Sequence, residues 1–188
     1  MMKIPDKLTY KPTITSKLRQ EMFTISSRVL GRDSLSYLEI GFDKGYTMID
    51  LSQKFVSLTG IEINHESVKL AKANSEKFLS KELSNSLAFI EGTSKNIPPS
   101  HYDVVLIDAA HDYENVKNDF QNVMGFNQAE KFLIFFHDFG LRDAGVSKFL
   151  QEKFPESYVK CGMEEGWNPL GSPIVDWEAA FIVVNKKI

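Results

Sequence analysis

Short apolar runs alternate with longer amphipathic patterns along most of this chain, and no other feature restricts its fold as much. "LSYLEI", "LTGIEI", "SLAFIE", "YDVVLID" and "KFLIFFHD" begin at Leu35, Leu58, Ser86, Tyr102 and Lys131. Several are continuously apolar, as strands covered on both faces should be. The spacing predicts helices between them, over residues 46–56, 65–83, 112–124 and 143–154, with Asn64 as an N-cap. Ahead of them, Ile14, Leu18, Met22, Ile25 and Val29 form one stripe of a helix within residues 13–30. Strands alternating with helices imply right-handed βαβ crossovers, hence an α/β fold with a mostly parallel open sheet and helices on both faces. The tail differs. "SYVKCGM" and "AAFIVVN" flank a Gly/Pro/Trp-rich stretch and predict an antiparallel edge within residues 157–188.

A chain of 188 residues holds one well-packed core, so a single domain over residues 1–188 is expected, with residues 35–150 as its ligand-binding part. A net charge of -3 argues against a nucleic-acid backbone as the main partner. The single cysteine, Cys161, has no disulfide partner in the chain, which removes any need for an oxidising compartment. "MMKIPDKLTYKP" lacks the apolar core of a signal peptide, and no run reaches membrane-spanning length. The expectation is a cytoplasmic protein without a membrane partner.

In an open α/β sheet, ligands bind outside the carboxyl ends of the strands. The residues predicted there are Glu39, Glu62, Glu91 to Ser94, Asp108, and His137 with Asp138. Gly41 and Gly45 would let the first strand-to-helix turn approach a ligand closely. Glu62 lies about twenty residues further on, where a carboxylate accepts hydrogen bonds from ribose hydroxyls. A pyrophosphate would need the G-x-G-x-x-G spacing and no adjacent negative charge. Here the turn reads Phe42-Asp43-Lys44, and Glu39 precedes it. The ligand implied is cationic at its non-nucleoside end, as S-adenosylmethionine is. Each acid also has a structural reading: Glu62 as a cap for the next helix, Glu39 as a partner for helix-terminal amides.

With these motifs in order, the chain resembles the class I S-adenosylmethionine-dependent methyltransferases of Rossmann-like fold. It is similar in particular to O-methyltransferases of the catechol and caffeoyl-CoA type and to bacterial sugar and antibiotic enzymes. "LEIGFDKGYT", "GIEIN", "IEGTS", "YDVVLIDAAHDYENVKNDF" and "LIFFHDF" match the family's successive motifs from Leu35 to Leu150. The resemblance implies that Glu39, Gly41 and Gly45 line the methionine end, Glu62 holds the ribose, and Thr93 and Ser94 border the adenine. Asp108 would stand beside the reacting methyl group. His111 occupies the position of a general base. Asp108, His137 and Asp138 would hold a divalent cation, Mg²⁺ or Mn²⁺, although His137 and Asp138 depart from the family's acid and amide.

The activity so implied is transfer of a methyl group to a hydroxyl of a small molecule or sugar, by an enzyme expected to form a homodimer. Structural readings stand beside these roles. Asp138 is equally a turn residue, His137 a half-buried histidine hydrogen-bonded to backbone, and His111 an exposed neighbour of the cap Asp112. His65 and His101 read as solvated. Trp167 and Trp177 would either stack on an acceptor ring or anchor a loop. The rival functions are a nicotinamide-dependent oxidoreductase and a non-catalytic adenosyl-binding module.

Overall fold

The computed structural model describes residues 14–141, 145–162 and 177–187. Helix α1, Ser16–Leu30, opens where Thr15 accepts a hydrogen bond from the Leu18 amide at 3.1 Å, and it closes on Gly31 in the left-handed conformation. Strands β1 (Ser36–Ile40), β2 (Ser57–Glu62), β3 (Leu87–Glu91), β4 (Val104–Ile107) and β5 (Lys131–His137) follow. The connecting helices are α2 (Tyr46–Leu51), α3 (His65–Phe78), α4 (Lys81–Asn85) and α5 (Tyr113–Phe126). Helix α6 (Gly145–Lys153), β6 (Val159–Cys161) and β7 (Ala179–Asn185) complete the described elements.

Two helices differ from their predicted lengths. The pattern over 65–83 breaks at Ser80, whose hydroxyl accepts from the Leu83 amide and starts α4 afresh. A serine that offers the backbone a cap competes with continuation of the helix. Helix α2 stops at Leu51, where the Ser52 hydroxyl bonds back to the Ile49 carbonyl at 2.7 Å. Asn64 caps α3 as expected, accepting from the Ser67 amide at 3.0 Å. Asn64→Ala should therefore cost about 1 kcal/mol, visible as a lowered Tm in thermal unfolding.

The sheet order is β3-β2-β1-β4-β5-β7-β6, with β1 to β5 parallel and β7 antiparallel to both neighbours. This is the Rossmann-like class I methyltransferase arrangement, with the antiparallel edge where the tail predicted it. Side chains of alternate parity in β1 enter different cores. Leu35 and Tyr37 pack with α1, α2 and α3, whereas Leu38 and Ile40 pack on the side of α5 and α6. The continuous apolar run of β5 feeds both, so Phe132, Phe135 and Phe136 are all fully buried, each contributing about 1.5–3 kcal/mol.

Strand β1 lies between β2 and β4, where the chain order reverses. That is the place at which an open sheet leaves a crevice beyond its carboxyl ends. Among the described residues no helix is long and apolar enough to cross a membrane.

Candidate active site

A cavity of about 400 Å³ fills this crevice, within the ~300–1,000 Å³ usual for small-molecule sites. Gly41, Glu62, Gly92 to Ser94 and Asp108 line it, together with Ile40, Ile61, Ile63, Ala109, Ala110, Asn115 and Asp119. Six of the residues singled out in the sequence thus border one space: Gly41, Glu62, Gly92, Thr93, Ser94 and Asp108.

Glu62 sits at the end of β2 and accepts from the Asp43 amide at 3.0 Å and the Asn64 amide at 2.8 Å. Its two oxygens tie the glycine turn to the start of α3, and each retains lone-pair capacity towards the cavity. Thr93 caps a single 3₁₀ turn, Ser94–Asn96, while Ser94 is buried and accepts from Asn122 Nδ2 at 2.8 Å.

The glycines serve a packing purpose that the sequence did not suggest. Gly41 has φ +89°, and a Cβ there would lie 2.4 Å from the Asp108 carbonyl oxygen and 2.7 Å from Ala109 Cα. Gly45 has φ +76° and faces the Ala71 and Phe89 side chains. Bare backbone is needed so that β4 and α3 can close onto the turn. Gly41 also borders the cavity; Gly45 is not among its lining residues.

Glu39 is likewise displaced from its expected place. It is 1% exposed, points to the same face as Tyr37, and accepts from the Tyr37 hydroxyl at 3.1 Å. Burial, followed by the negative charge of Asp108, raises its pKa well above the usual carboxylate range. It is the penultimate residue of β1 and is not among the residues that line this cavity.

Asp108 connects the cavity to a buried cluster of ionisable side chains. The carboxyl end of β4 carries Asp108, and the neighbouring end of β5 carries His137 and Asp138. His137 Nδ1 stands 2.8 Å from Asp108 Oδ1 and 3.1 Å from Asp138 Oδ2. On the other edge of the ring, Nε2 is 3.2 Å from Glu178 Oε1. His111, half exposed at the start of α5, places Nδ1 3.0 Å from Asp138 Oδ2. Asp138 takes a left-handed backbone conformation, φ +57°, which aspartate adopts more readily than most non-glycine residues.

Charge follows geometry. Burial pulls the His137 pKa down, but Asp108, Asp138 and Glu178 outweigh it and hold the imidazole well above its ordinary value. Burial raises Asp138, yet the hydrogen bonds from His111 and His137 hold its carboxyl below the usual range. Burial raises Asp108, opposed by His137. The hydrogen bond to Asp138 raises His111. The reading of His137 as a half-buried residue bonded to backbone is therefore replaced: it is 2% exposed and surrounded by carboxylates. Asp112 is the α5 N-cap, accepting from the Asn115 amide at 3.1 Å.

The ligand atoms of Asp108, His137 and Asp138 all lie within 4.8 Å of one another. Separations of 2.8 and 3.1 Å match the roughly 3.0 Å edge of an octahedron with ~2.1 Å bonds. Two carboxylates and an imidazole also suit Mn²⁺, Fe²⁺ or Zn²⁺ better than an all-oxygen Mg²⁺ site. The residues fit a divalent cation.

Several site residues had escaped the sequence reading. Ile63, 71% exposed at the cavity rim, directly follows the strand-end acid, and an apolar residue turned outward there was the available signal. Asn115 and Asp119 are four apart on α5, so helical spacing from Asp112 would have found them. Nothing in "VDWEAAF" marks Glu178 as buried. Trp177 packs against the core on the α5 and α6 side, and Trp167 lies outside the described residues, as does most of the Gly/Pro/Trp-rich stretch. His65 is exposed and paired with Glu91 at 2.7 Å; His101 is exposed.

Comparison with known proteins agrees with this architecture. The family model described as a methyltransferase domain matches residues 38–139, more than half of the chain. The protein belongs to that methyltransferase family. Among curated proteins none matches the sequence. Of solved structures, the methyltransferase domain of bacterial CtHen1-CN is similar over 89% of this chain and 98% of its own, at 13% identity and TM-score 0.57. N-methyltransferase NodS from Bradyrhizobium japonicum WM9 is similar over 89% and 93%, at 12% identity and TM-score 0.60. A SAM-dependent methyltransferase from Geobacter sulfurreducens, solved with S-adenosyl-L-homocysteine, is similar over 69% of this chain, at 14% identity and TM-score 0.50. The chain spans 50% of the length of the latter. At such identities the likeness concerns the fold.

Proposed function

We propose that this protein is an S-adenosylmethionine-dependent O-methyltransferase acting on a hydroxyl of a small molecule or sugar. The observation that carries the reading is the double position of Asp108, which borders the cavity and also contacts the imidazole of the buried cluster. A cosubstrate with its ribose at Glu62 and its base beside Ile63, Thr93 and Ser94 brings its methionine end towards Asp108. The methyl group then lies next to acid–base residues, where an acceptor oxygen can displace the thioether in line. A non-catalytic adenosyl-binding module would have no use for that arrangement, and the nicotinamide reading lacks a phosphate-binding glycine pattern.

The protein's tasks are alignment and removal of the acceptor's proton. Asp138 accepts from His111 Nδ1, which leaves Nε2 as the nitrogen that takes the proton. Asp108, His137 and Asp138 would hold a divalent cation. When bound, such a cation lowers the pKa of a coordinated hydroxyl.

His111→Ala should lower kcat on the order of 10²-fold while leaving S-adenosylhomocysteine affinity nearly unchanged, as single-turnover kinetics and calorimetry would read. Ile63→Ala should act in the opposite sense, weakening S-adenosylhomocysteine roughly tenfold, about 1.4 kcal/mol, with kcat at saturation preserved. The reading itself is tested by incubating the protein with methyl-labelled S-adenosylmethionine, Mn²⁺ and a panel of catechols, phenols, sugars and amines. Label on oxygen supports it; label confined to nitrogen acceptors would replace it with N-methylation.

A further inference from the structure

Glu178 precedes β7 and has no part in the chemistry described above, yet it is 1% exposed. A carboxylate so deeply buried costs several kcal/mol unless its surroundings answer the charge. Its partners lie on two sides. The Thr15 amide donates to Oε1 at 2.8 Å and the Thr15 hydroxyl donates to Oε2 at 2.5 Å, which fastens the start of α1. His137 Nε2 lies 3.2 Å from Oε1. The two Thr15 donors occupy one oxygen each, and Oε1 is shared with the imidazole. The partner that makes use of a full negative charge is the imidazole.

The consequence for His137 is directional. Nε2 carries a hydrogen towards Glu178, while Nδ1 is turned to Asp108 and Asp138 and donates to them when no cation is bound. A carboxylate behind an imidazole fixes both its ring orientation and the basicity of the nitrogen on the far side. The Phe139 amide donates to the Glu178 carbonyl at 3.2 Å, so the backbones of the two segments are also joined just beyond the site.

We infer that Glu178 is a positioning residue. It holds His137 with Nε2–H towards itself, so that Nδ1 completes a three-residue donor set with Asp108 and Asp138. The metal-binding half of this statement rests on the cation reading above; the orientation half does not.

The test compares wild type with Glu178→Gln in two arms. In the first, nitrogen-15 spectra of the metal-free protein follow the His137 Nε2–H proton. It should be protected from exchange and strongly downfield in wild type, and should move upfield in Glu178→Gln, whose amide is a neutral acceptor. In the second, Mn²⁺ affinity is titrated; Glu178→Gln should lose about 10–100-fold. Val123→Ala, a buried truncation in α5 remote from the cluster, controls for instability and should leave Mn²⁺ affinity within about twofold. An absent Nε2–H signal in wild type, or one unchanged in Glu178→Gln, overturns the inference. So does an unchanged Mn²⁺ affinity in that variant. If wild type binds no Mn²⁺, the cation reading and the donor-set half fail together, while the first arm still decides the orientation.

Discussion

Asp108→Asn is expected to reduce methyl transfer by roughly 10²–10⁴-fold while the protein remains folded. The residue closes the cavity on one side and contacts His137 at 2.8 Å on the other. Asparagine preserves its size and one acceptor oxygen but removes the charge. The loss should appear mainly in kcat, because the adenosyl contacts are assigned to Glu62 and Ile63 at the end of β2. Circular dichroism and thermal unfolding would establish that the fold survives. Stopped-flow turnover with a saturating acceptor would measure the loss. A variant turning over at more than a tenth of the wild-type rate would exclude Asp108 from the reacting centre.

The second large effect concerns folding. Gly41→Ala is expected to destabilise the protein by on the order of 2–5 kcal/mol. A methyl group there would meet the Asp108 carbonyl oxygen at 2.4 Å, and alanine at φ +89° is strained whatever the space. Neither problem has a cheap solution, because the obstructing atoms are backbone atoms at the end of β4. Relief requires β4 to move away from β1, which would also pull Asp108 out of line. Urea unfolding should show a lower midpoint with an unchanged slope, and activity should fall with stability. A Gly41→Ala protein as stable as wild type would show that the turn relaxes freely, contrary to the close packing seen here.

How much of this was legible in the sequence differs from residue to residue. The strands were plain because five apolar runs of strand length are separated by stretches of helical period. The caps at Asn64 and Asp112 could be read because side-chain oxygen at such positions has a local mechanism, and the structure shows both bonds. The break at Ser80 follows the same mechanism but sits inside a pattern that reads as continuous helix. Local rules do not say which of several serines will interrupt.

The site was legible to the extent that it is made of strand ends. Asp108, His137 and Asp138 lie at the carboxyl ends of two adjacent strands, so parallel pairing brings them together. Their partners depend on what folds over them, and that is tertiary information. Glu39 illustrates the limit. Its position before the glycine turn suggested a charge facing the ligand, but strand parity puts it beside Tyr37. Glu178 illustrates it more strongly, since the contact with His137 spans 41 residues and that with Thr15 spans 163. The glycines were identified correctly as special, for a reason visible only once β4 and α3 were in place.

The central claim is that the crevice beyond β1, β2 and β4 takes an adenosyl ligand with its sulfur end towards Asp108. Isothermal titration of the protein with S-adenosylhomocysteine and, separately, with NAD tests it most directly. The account predicts one-to-one binding of S-adenosylhomocysteine, weakened by Ile63→Ala, and no measurable heat with NAD. Saturable NAD binding together with silence towards S-adenosylhomocysteine would contradict it.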